Sequence, residues 1–344
     1  MGRPQPRAAR AALCCAVAAA LLATTSVAAK ASPCTGDRDG DESVTVDEIV
    51  AIADDVLASG TFPAIAIDTL VAAVRAAIHG CGSQQARGCN GADHLCARRY
   101  DEVAYATTHN AMANADDRFQ VPNQRRSVTV QLEDGVRALM LDTYRYEGDL
   151  FLCHTECALL GRRLLTDGLA EIRAFLERNP REVVTIIFES YIDAAETESA
   201  FSQSGLLDHA HAQDPNEPWP TLGEFIESGR RLVVLTDRRA DPAIYPWYHY
   251  VWDYAFETPF SFERPADFSC QPNRGNPSNG LFILNHFLTQ SFGLPRLAMQ
   301  VNFNPLLRDR ARECRIANDR LANFVTVDFY DIGDVLAVVN ELNQ

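Results

Sequence analysis

Short apolar runs recur through the last two thirds of the chain, and segments with helical periodicity separate most of them. The eight runs are, in chain order, EVAYATTH, VRALMLDTY, DLFLCH, EVVTIIFE, RRLVVLTD, YHYVWDYA, LFILNH and NFVTVDFY. The segments predicted to be helical are 127–134, 165–178, 221–228, 304–313 and 333–342. Strands that alternate with helices indicate a parallel α/β fold. Eight runs within residues 100–344 favour a (β/α)8 barrel, which is the fold class we predict for this region.

The second and third runs are too close together for a parallel crossover, which needs a dozen or more residues. We therefore expect them to form a hairpin that turns at Glu147 and Gly148. If the turn is centred on Gly148, Asp142 and His154 lie equally far on either side of it. The prediction is an acid and an imidazole that face each other across two strands, about 5 Å apart at their Cβ atoms.

Polar side chains stand at the ends of most of these runs. They are His109, Asn110, Asp142, His154, Glu189, Asp237, Asn285, His286 and Asp328. In a parallel barrel the carboxyl ends of the strands share one face, and active sites lie there. Two histidines among carboxylates predict acid–base catalysis, in which one histidine removes a proton and the other returns one. Attack of a hydroxyl on a phosphodiester fits this set, with Asp328 orienting a catalytic histidine. A zinc site is the alternative, but the HExxH spacing is absent.

The beginning of the chain has the pattern of a secretory signal peptide, predicted over residues 1–31. Three arginines precede the apolar run AALCCAVAAALLATTSVAA, and small residues follow as far as Ala31. A membrane anchor is the alternative, and no later segment reaches the ~20 apolar residues of a membrane span. Cleavage after Ala31 would remove four basic residues and no acid, so the net charge of −15 would become −19. Such a chain is not expected to bind nucleic acid through phosphate contacts.

Eight cysteines would remain after this cleavage, and an even number in an exported chain implies disulfides. We predict a secreted, extracellular or periplasmic protein. Proximity along the chain suggests the pairs Cys34–Cys81, Cys89–Cys96, Cys153–Cys157 and Cys270–Cys314.

Residues 34–81 contain the spacing of an EF-hand calcium loop in DRDGDESVTVDE. Oxygen-bearing residues occupy its ligand positions, namely Asp37, Asp39, Asp41, Ser43, Thr45 and Glu48. The sixth position is Glu42, where such loops need glycine for a sharp turn. The segment VTVDEIV recurs as IAIDTLV, so we predict a small helical EF-hand or dockerin-like unit that binds Ca²⁺ and serves in surface docking. An acidic turn that caps a helix is the alternative. Residues 82–99 are the predicted linker.

The barrel region resembles the X domain of phosphatidylinositol-specific phospholipases C, most of all the secreted single-domain bacterial and plant type. The similarity lies in TTHNAMA, PNQRRSVTVQLEDGVRALMLDTYRYEGDLFLCHTEC and EIRAFLERNPREVVTIIFESYI. It implies a distorted TIM barrel that acts on a phospholipid at a membrane surface. It also implies that His109 is the general base for the inositol 2-hydroxyl and His154 the general acid for the diacylglycerol oxygen. The product would be a cyclic inositol phosphate.

The resemblance leaves open what stabilises the charge on the phosphate. Calcium-dependent relatives imply the ligands Asn110, Asp142 and Glu189, but Met140 stands where those relatives have a second carboxylate. Metal-free bacterial relatives have an arginine at the position of Tyr144, and here the arginine is the next residue, Arg145. The residues predicted to contact substrate are Arg145, Asn285 and Tyr330. Two alternatives stay open: a diesterase for another head group, such as a glycerophosphodiester or sphingolipid, and a catalytically idle barrel that serves as a binding module.

Overall fold

The structure is a computed structural model, and it describes residues 36–38, 43–58, 70, 73, 74, 77, 88–290 and 293–344. The chain divides into two compact units, residues 1–81 and 82–344. The predicted signal peptide, the ligands Asp39 and Asp41, and the Cys34–Cys81 disulfide lie outside the described residues. No helix among the described residues combines the length and the apolar content that crossing a bilayer requires.

The described part of the first unit contains helix α1, Val46–Ala58. Glu48 stands in its first turn and is buried. Its two carboxylate oxygens accept hydrogen bonds from the backbone N–H groups of Arg38, at 2.6 Å, and Thr45, at 2.8 Å. Calcium binding by this loop stays a prediction.

The second unit alternates strands with helices. The strands are β1 Tyr105–Thr108, β2 Ala138–Tyr146, β3 Asp149–Leu152, β4 Arg163–Leu164, β5 Val184–Ser190, β6 Leu232–Thr236, β7 Tyr248–Tyr250, β8 Ala255–Glu257, β9 Leu281–Asn285 and β10 Phe324–Val327. The helices are α2 Val128–Asp134, α3 Leu165–Arg178, α4 Ala194–Ser204, α5 Leu222–Ser228, α6 Val251–Tyr254, α7 Pro295–Val301, α8 Leu306–Asn318 and α9 Val335–Leu342.

Eight strands form one curled parallel sheet in the order β7-β6-β5-β2-β1-β10-β9-β8. Strands β3 and β4 extend from β2 as antiparallel neighbours. Among the described residues, the edge strands β7 and β8 do not pair with each other. The fold is therefore an open, distorted α/β barrel, which confirms the predicted fold class.

The run YHYVWDYA is not the single strand that its apolar pattern predicts. Its first residues form β7, which pairs with β6, and its last residue begins β8, which pairs with β9. The four residues between them, Val251–Tyr254, form helix α6. The prediction was wrong because this segment carries the chain from one edge of the sheet to the other.

Side chains of the parallel strands alternate between two layers, as the two-residue repeat of a strand requires. Ile186 and Phe188 of β5 pack in the larger core with residues of the surrounding helices, such as Leu169 of α3. Ile187, between them, belongs to the second core, and Met140 of β2 packs against that core. Met140 therefore shares the inner face of the sheet with Ile187, and this face leads to the pocket described below.

The predicted hairpin between β2 and β3 is present. Its turn consists of Glu147 and Gly148, which both have positive φ angles of 50° and 95°. Two such residues in succession match a two-residue hairpin loop, whose twist suits the flanking strands. The turn was therefore predicted at the right place.

The predicted register of this hairpin was wrong by one residue. Tyr146 pairs with Asp149 across the two-residue loop, because the turn is centred between two residues and not on Gly148. Asp142 consequently faces Cys153, whose backbone N–H donates to the Asp142 carbonyl at 3.3 Å. His154 lies beyond the end of β3 and is not the cross-strand neighbour of Asp142.

Three predicted disulfides are confirmed, Cys89–Cys96, Cys153–Cys157 and Cys270–Cys314. The second closes the loop that follows β3, and His154 lies inside that loop. The third ties a loop between β8 and β9 to helix α8. Disulfides thus constrain the loop after β3 and the loop between β8 and β9.

Candidate active site

A pocket opens at the carboxyl ends of the parallel strands. The polar residues that line it from strand ends are His109, Asn110, Asp142, Glu189, Asp237, Glu257 and Asn285. They come from β1, β2, β5, β6, β8 and β9, so most of the sheet contributes to one site. This is the face at which parallel barrels carry their active sites.

His109 and Asn110 line one side of the pocket, and Asn123, His154 and Asp328 contact these two residues without being among the described residues that line it. We call this set of five the histidine wall. The ring nitrogen Nδ1 of His109 lies 2.9 Å from Asp328 Oδ1. Asp328 is buried, and Asn123 Nδ2 donates a hydrogen bond to the same oxygen at 3.0 Å. The His109 ring also stacks on Phe287, with centroids 4.0 Å apart and planes 7° from parallel. A carboxylate that accepts from Nδ1–H leaves Nε2 free as a proton acceptor.

Asn110 connects the two histidines of this wall. It adopts a positive φ of 47° directly after His109 and is buried. Its Nδ2 lies 3.3 Å from Asn123 Oδ1 and 3.4 Å from His154 Nε2. The structure therefore brings His154 to Asn110 and not to Asp142, as the hairpin prediction had it.

His154 has an electrostatic environment that favours its neutral form. Desolvation lowers its pKa from the usual 6.5, and the neighbouring His109 lowers it further. Asp328 and Glu189 oppose this shift without reversing it. Among the described residues, its buried Nδ1 has no hydrogen-bond partner. An imidazolium in this environment gives up its proton more readily than one in water.

A neighbouring side of the pocket, the carboxylate wall, consists of Asp142, Glu189 and Asp237. Asp142 and Glu189 are register partners in the β2–β5 pair. Burial raises the pKa of Asp142 well above its usual value, and Glu189 and Asp237 add to this effect. Burial also raises the pKa of Asp237, although the backbone N–H of Ser190 donates to it at 2.9 Å. The wall concentrates negative charge with few donors to offset it.

The predicted calcium ligands Asn110, Asp142 and Glu189 all line the pocket. A divalent cation would relieve the repulsion that raises the pKa of Asp142. Among the described residues, however, no group of three or more His, Cys, Asp or Glu side chains is arranged to hold a metal ion. Met140 lines the pocket where a further carboxylate would complete such a group. The side chains as they stand do not form a ready calcium site, and calcium here stays a prediction.

The three residues predicted to contact substrate have different surroundings. Asn285 lines the pocket and donates through Nδ2 to Glu257 Oε2 at 3.0 Å. Arg145 forms an ion pair with Glu196, and its side chain is 58% exposed. Tyr330 is buried and donates its hydroxyl to Asp134 at 2.7 Å. Of the three, only Asn285 is among the described residues that line this pocket.

The pocket residues that were not predicted from the sequence include Trp252, Glu257, Phe260 and Arg274. Trp252 lies in α6, inside the run that was read as one strand, and Glu257 ends β8, two residues after that run. Arg274 lies in the polar segment QPNRGNP, which has no apolar run to mark it. A strand assignment that divided YHYVWDYA would have placed Glu257 at a strand end, but nothing in the sequence marks Arg274.

Comparisons with known proteins identify the family of the second unit. The family model for the PI-PLC X domain matches residues 95–343. A "PI-PLC X domain-containing protein" of Arabidopsis thaliana is 30% identical over 71% of this chain and 62% of its own length. A protein of Arthroderma benhamiae with the same description is 31% identical over 74% of this chain and 89% of its own. An "uncharacterized secreted protein" of that fungus is 29% identical over 72% of this chain, and the chain spans 61% of its length.

Solved structures show the same fold. The phosphatidylinositol-specific phospholipase C from Listeria monocytogenes aligns with a TM-score of 0.50 over 73% of this chain and 97% of its own, at 14% identity. A mutant of the phosphatidylinositol-specific phospholipase C from Staphylococcus aureus aligns with a TM-score of 0.50 over 72% and 95%, at 12% identity. At these identities the similarity concerns the fold of the barrel.

Proposed function

The chain belongs to the PI-PLC X family, and from this premise we propose that it is a secreted phosphodiesterase that cleaves an inositol phospholipid. Phosphatidylinositol would yield diacylglycerol and a cyclic inositol phosphate. The observation that carries this proposal is the histidine wall, where Asp328 holds His109 and His154 contacts Asn110, which lines the pocket beside His109.

The proposed reaction begins when His109 Nε2 takes the proton of the inositol 2-hydroxyl. The freed oxygen attacks the phosphorus of the same molecule, and a new P–O bond closes the cyclic phosphate. As the bond to diacylglycerol breaks, protonated His154 gives its proton to the leaving oxygen. Asp328 holds His109 in the required tautomer and stabilises the imidazolium that forms. The lowered pKa of His154 favours this proton transfer.

The carboxylate wall has a role in binding the head group in this proposal. Carboxylates accept hydrogen bonds from hydroxyl groups, and inositol presents a ring of them. Asp142, Glu189 and Asp237 line the pocket beside the histidine wall. The positive charge that the phosphate needs comes either from calcium held by Asn110, Asp142 and Glu189 or from an arginine.

Secretion is part of the proposal. The described disulfides and the secreted relative of Arthroderma benhamiae support an extracellular or periplasmic location. The acidic first unit, with its EF-hand-like loop, would bind Ca²⁺ and dock the enzyme at a surface.

Activity on defined lipid vesicles tests this proposal. The purified protein would be assayed on phosphatidylinositol, phosphatidylcholine and sphingomyelin, and on a soluble glycerophosphodiester, each with calcium and with a chelator. We expect cleavage of phosphatidylinositol to exceed that of the other substrates. Preferential cleavage of another head group would overturn the substrate assignment, and no cleavage of any would favour the binding module.

Chelation needs a control, because calcium has two predicted sites. The variant Asp37→Ala with Glu48→Ala removes two ligands of the EF-hand-like loop and leaves the pocket intact. If chelation lowers the activity of this variant, the calcium acts at the pocket. If chelation changes the activity of neither wild type nor this variant, an arginine supplies the positive charge.

A further inference from the structure

Arg274 is the only lysine or arginine among the described residues that line the pocket. Lys30 is the only lysine in the chain, so arginine must supply every basic contact of the barrel other than histidine. The pocket otherwise carries four carboxylates, those of Asp142, Glu189, Asp237 and Glu257. A pocket of this charge repels a phosphodiester unless a cation offsets the acids.

The backbone around Arg274 is fixed against strand β8. The carbonyl of Arg274 accepts from Glu257 N at 3.0 Å, and Asn273 N donates to the Glu257 carbonyl at 2.8 Å. Gly275 follows with a φ of +81°, and a Cβ there would lie 2.2 Å from the carbonyl oxygen of Ala255. The Cys270–Cys314 disulfide anchors the same loop to α8. The position of Arg274 is therefore set by the sheet and not by a free loop.

The side chain of Arg274 is held on three sides. Its guanidinium carbon lies 4.6 Å from the ring centroids of both Trp252 and Phe260. Its Nε donates to Glu257 Oε1, and the other oxygen of Glu257 accepts from Asn285. Glu257 is almost fully buried, whereas the Arg274 side chain is 46% exposed. Within the described part of the chain, the two terminal nitrogens of Arg274 have no hydrogen-bond partner.

We propose that Arg274 binds the phosphate of the substrate and stabilises the negative charge that develops on its non-bridging oxygens during attack. This inference rests on the proposed function. A guanidinium has donors only, and its paired N–H groups match two oxygens of a phosphate. The ring faces and Glu257 hold the charge in place before substrate arrives, which is what makes such stabilisation effective.

Arg274 thereby supplies the positive charge that the positions considered in the sequence analysis, all on β2, do not supply. Tyr144 carries no charge, and Met140 leaves the calcium set one carboxylate short. Arg145 is engaged by Glu196 and lies outside the pocket lining. The guanidinium of Arg274 enters the pocket from the loop between β8 and β9, next to Trp252.

Substitution of Arg274, assayed on a soluble inositol phosphodiester, tests this proposal without a lipid surface. We expect Arg274→Ala to lower kcat/KM by roughly 10²- to 10³-fold, mainly through kcat, as loss of one charge-stabilising donor does. Arg274→Lys should recover part of the loss, and millimolar methylguanidine should partly rescue Arg274→Ala. A fall of kcat/KM by less than about threefold would overturn the proposal, and a rise in KM with kcat unchanged would overturn the stabilisation of developing charge.

Arg239 provides a matched control. It also stacks on an aromatic ring, Tyr250, at 3.9 Å and pairs with a carboxylate, Asp253, but it does not line the pocket. We expect Arg239→Gln to keep the wild-type kcat/KM. An equal loss in Arg239→Gln and Arg274→Ala would show that removing a stacked arginine acts through the fold, and would overturn the assigned contact.

Binding of inorganic phosphate separates this inference from the proposed function. Titration calorimetry would compare wild type with Arg274→Gln, which keeps a polar side chain beside Glu257 if Arg274→Ala fails to fold. We expect phosphate to bind the variant at least tenfold more weakly, whether or not the wild type cleaves inositol lipids. Equal binding by the two proteins would overturn the role of Arg274, and an inactive wild type with normal phosphate binding would overturn only the proposed reaction.

Discussion

The histidine wall and the carboxylate wall face the same pocket but hold their polar groups in opposite ways. On the histidine wall, donors adjoin acceptors: Asp328 accepts from both His109 and Asn123, and Asn110 contacts His154. On the carboxylate wall, like charges adjoin one another, and burial with mutual repulsion raises the pKa of Asp142. In the first wall the hydrogen bonds that orient His109 are already formed, whereas the second becomes favourable only when a ligand supplies donors or positive charge.

This difference indicates how the two walls divide the work of a reaction. Groups that move protons must be oriented before substrate arrives, so their hydrogen bonds are formed within the protein. Groups that recognise a polyol or a cation must leave their acceptor oxygens open. The raised pKa of Asp142 shows the electrostatic cost of leaving these acids uncompensated. Four changes test the contrast, from the largest expected effect to the smallest.

Removal of either histidine should disable the acid–base pair of the histidine wall. His109→Ala and His154→Ala should each lower kcat by roughly 10²- to 10⁴-fold on phosphatidylinositol, because each deletes one proton transfer. The double variant should be little worse than either single one, since both act in one step. Steady-state kinetics measures this, and activity that survives both substitutions would contradict the acid–base assignment.

Neutralising Asp142 should remove electrostatic repulsion within the carboxylate wall. Because its pKa is raised, the folded protein favours the protonated acid, and stability is lost as pH rises above the unfolded value of about 3.9. Asp142→Asn should therefore be more stable than wild type at pH 7 by on the order of 1 kcal/mol or more, and equally stable near pH 3. Urea unfolding at both pH values checks this.

A calcium titration with Asp142 and with Asn at this position extends the comparison. In the Asp37→Ala, Glu48→Ala background, calcium should stabilise the protein only if the pocket binds it, and Asp142→Asn should then abolish the effect. An Asp142→Asn variant that is less stable than wild type at pH 7 would contradict the claim that burial and mutual repulsion disfavour the ionised form of Asp142.

The pH dependence of catalysis reports on His154. Its pKa is lowered by desolvation and by His109, and the general acid must carry a proton. We therefore expect kcat/KM to fall as pH rises through a value below 6.5. A pH–rate profile, with NMR titration of the His154 ring, measures it. A falling limb above pH 6.5 that follows the His154 titration would be inconsistent with the environment described.

The smallest effect is expected outside both walls, at Arg145. The arginine of its ion pair with Glu196 is exposed to solvent, and surface ion pairs contribute at most about 1 kcal/mol. Arg145→Gln should leave kcat/KM unchanged and the melting temperature within a few degrees of wild type. A large loss of kcat for Arg145→Gln, beside a small one for Arg274→Ala, would reverse the roles assigned to the two arginines.

The strand ends that form the histidine wall could be predicted from the sequence because apolar runs mark where parallel strands finish. The placement of His109, Asp142 and Glu189 at one face follows from this pattern alone. The register of the β2–β3 hairpin could not be fixed, because one residue more or less in the turn moves every pair. Helix α4 was not predicted, since AAETESAFSQS has little apolar periodicity, and its ends are set by capping at Asp193 and Gly205.

The far side of the pocket was the least predictable part. Helix α6 interrupts an apolar run that reads as one strand, because the sheet edges on either side of it have different partners. Arg274 reaches the pocket through a bridge between Phe256 and Gly275, a pairing of residues distant in sequence. Such contacts depend on tertiary structure, so local pattern does not encode them.

The central claim is that the histidine wall drives attack by the substrate's own 2-hydroxyl. Phosphorus NMR of phosphatidylinositol vesicles during turnover tests this most directly. The account predicts that the resonance of a five-membered cyclic phosphodiester appears first with the wild type and is absent with His109→Ala. A non-cyclic inositol phosphate as the first product, or a phosphorylated lipid with free inositol, would contradict it.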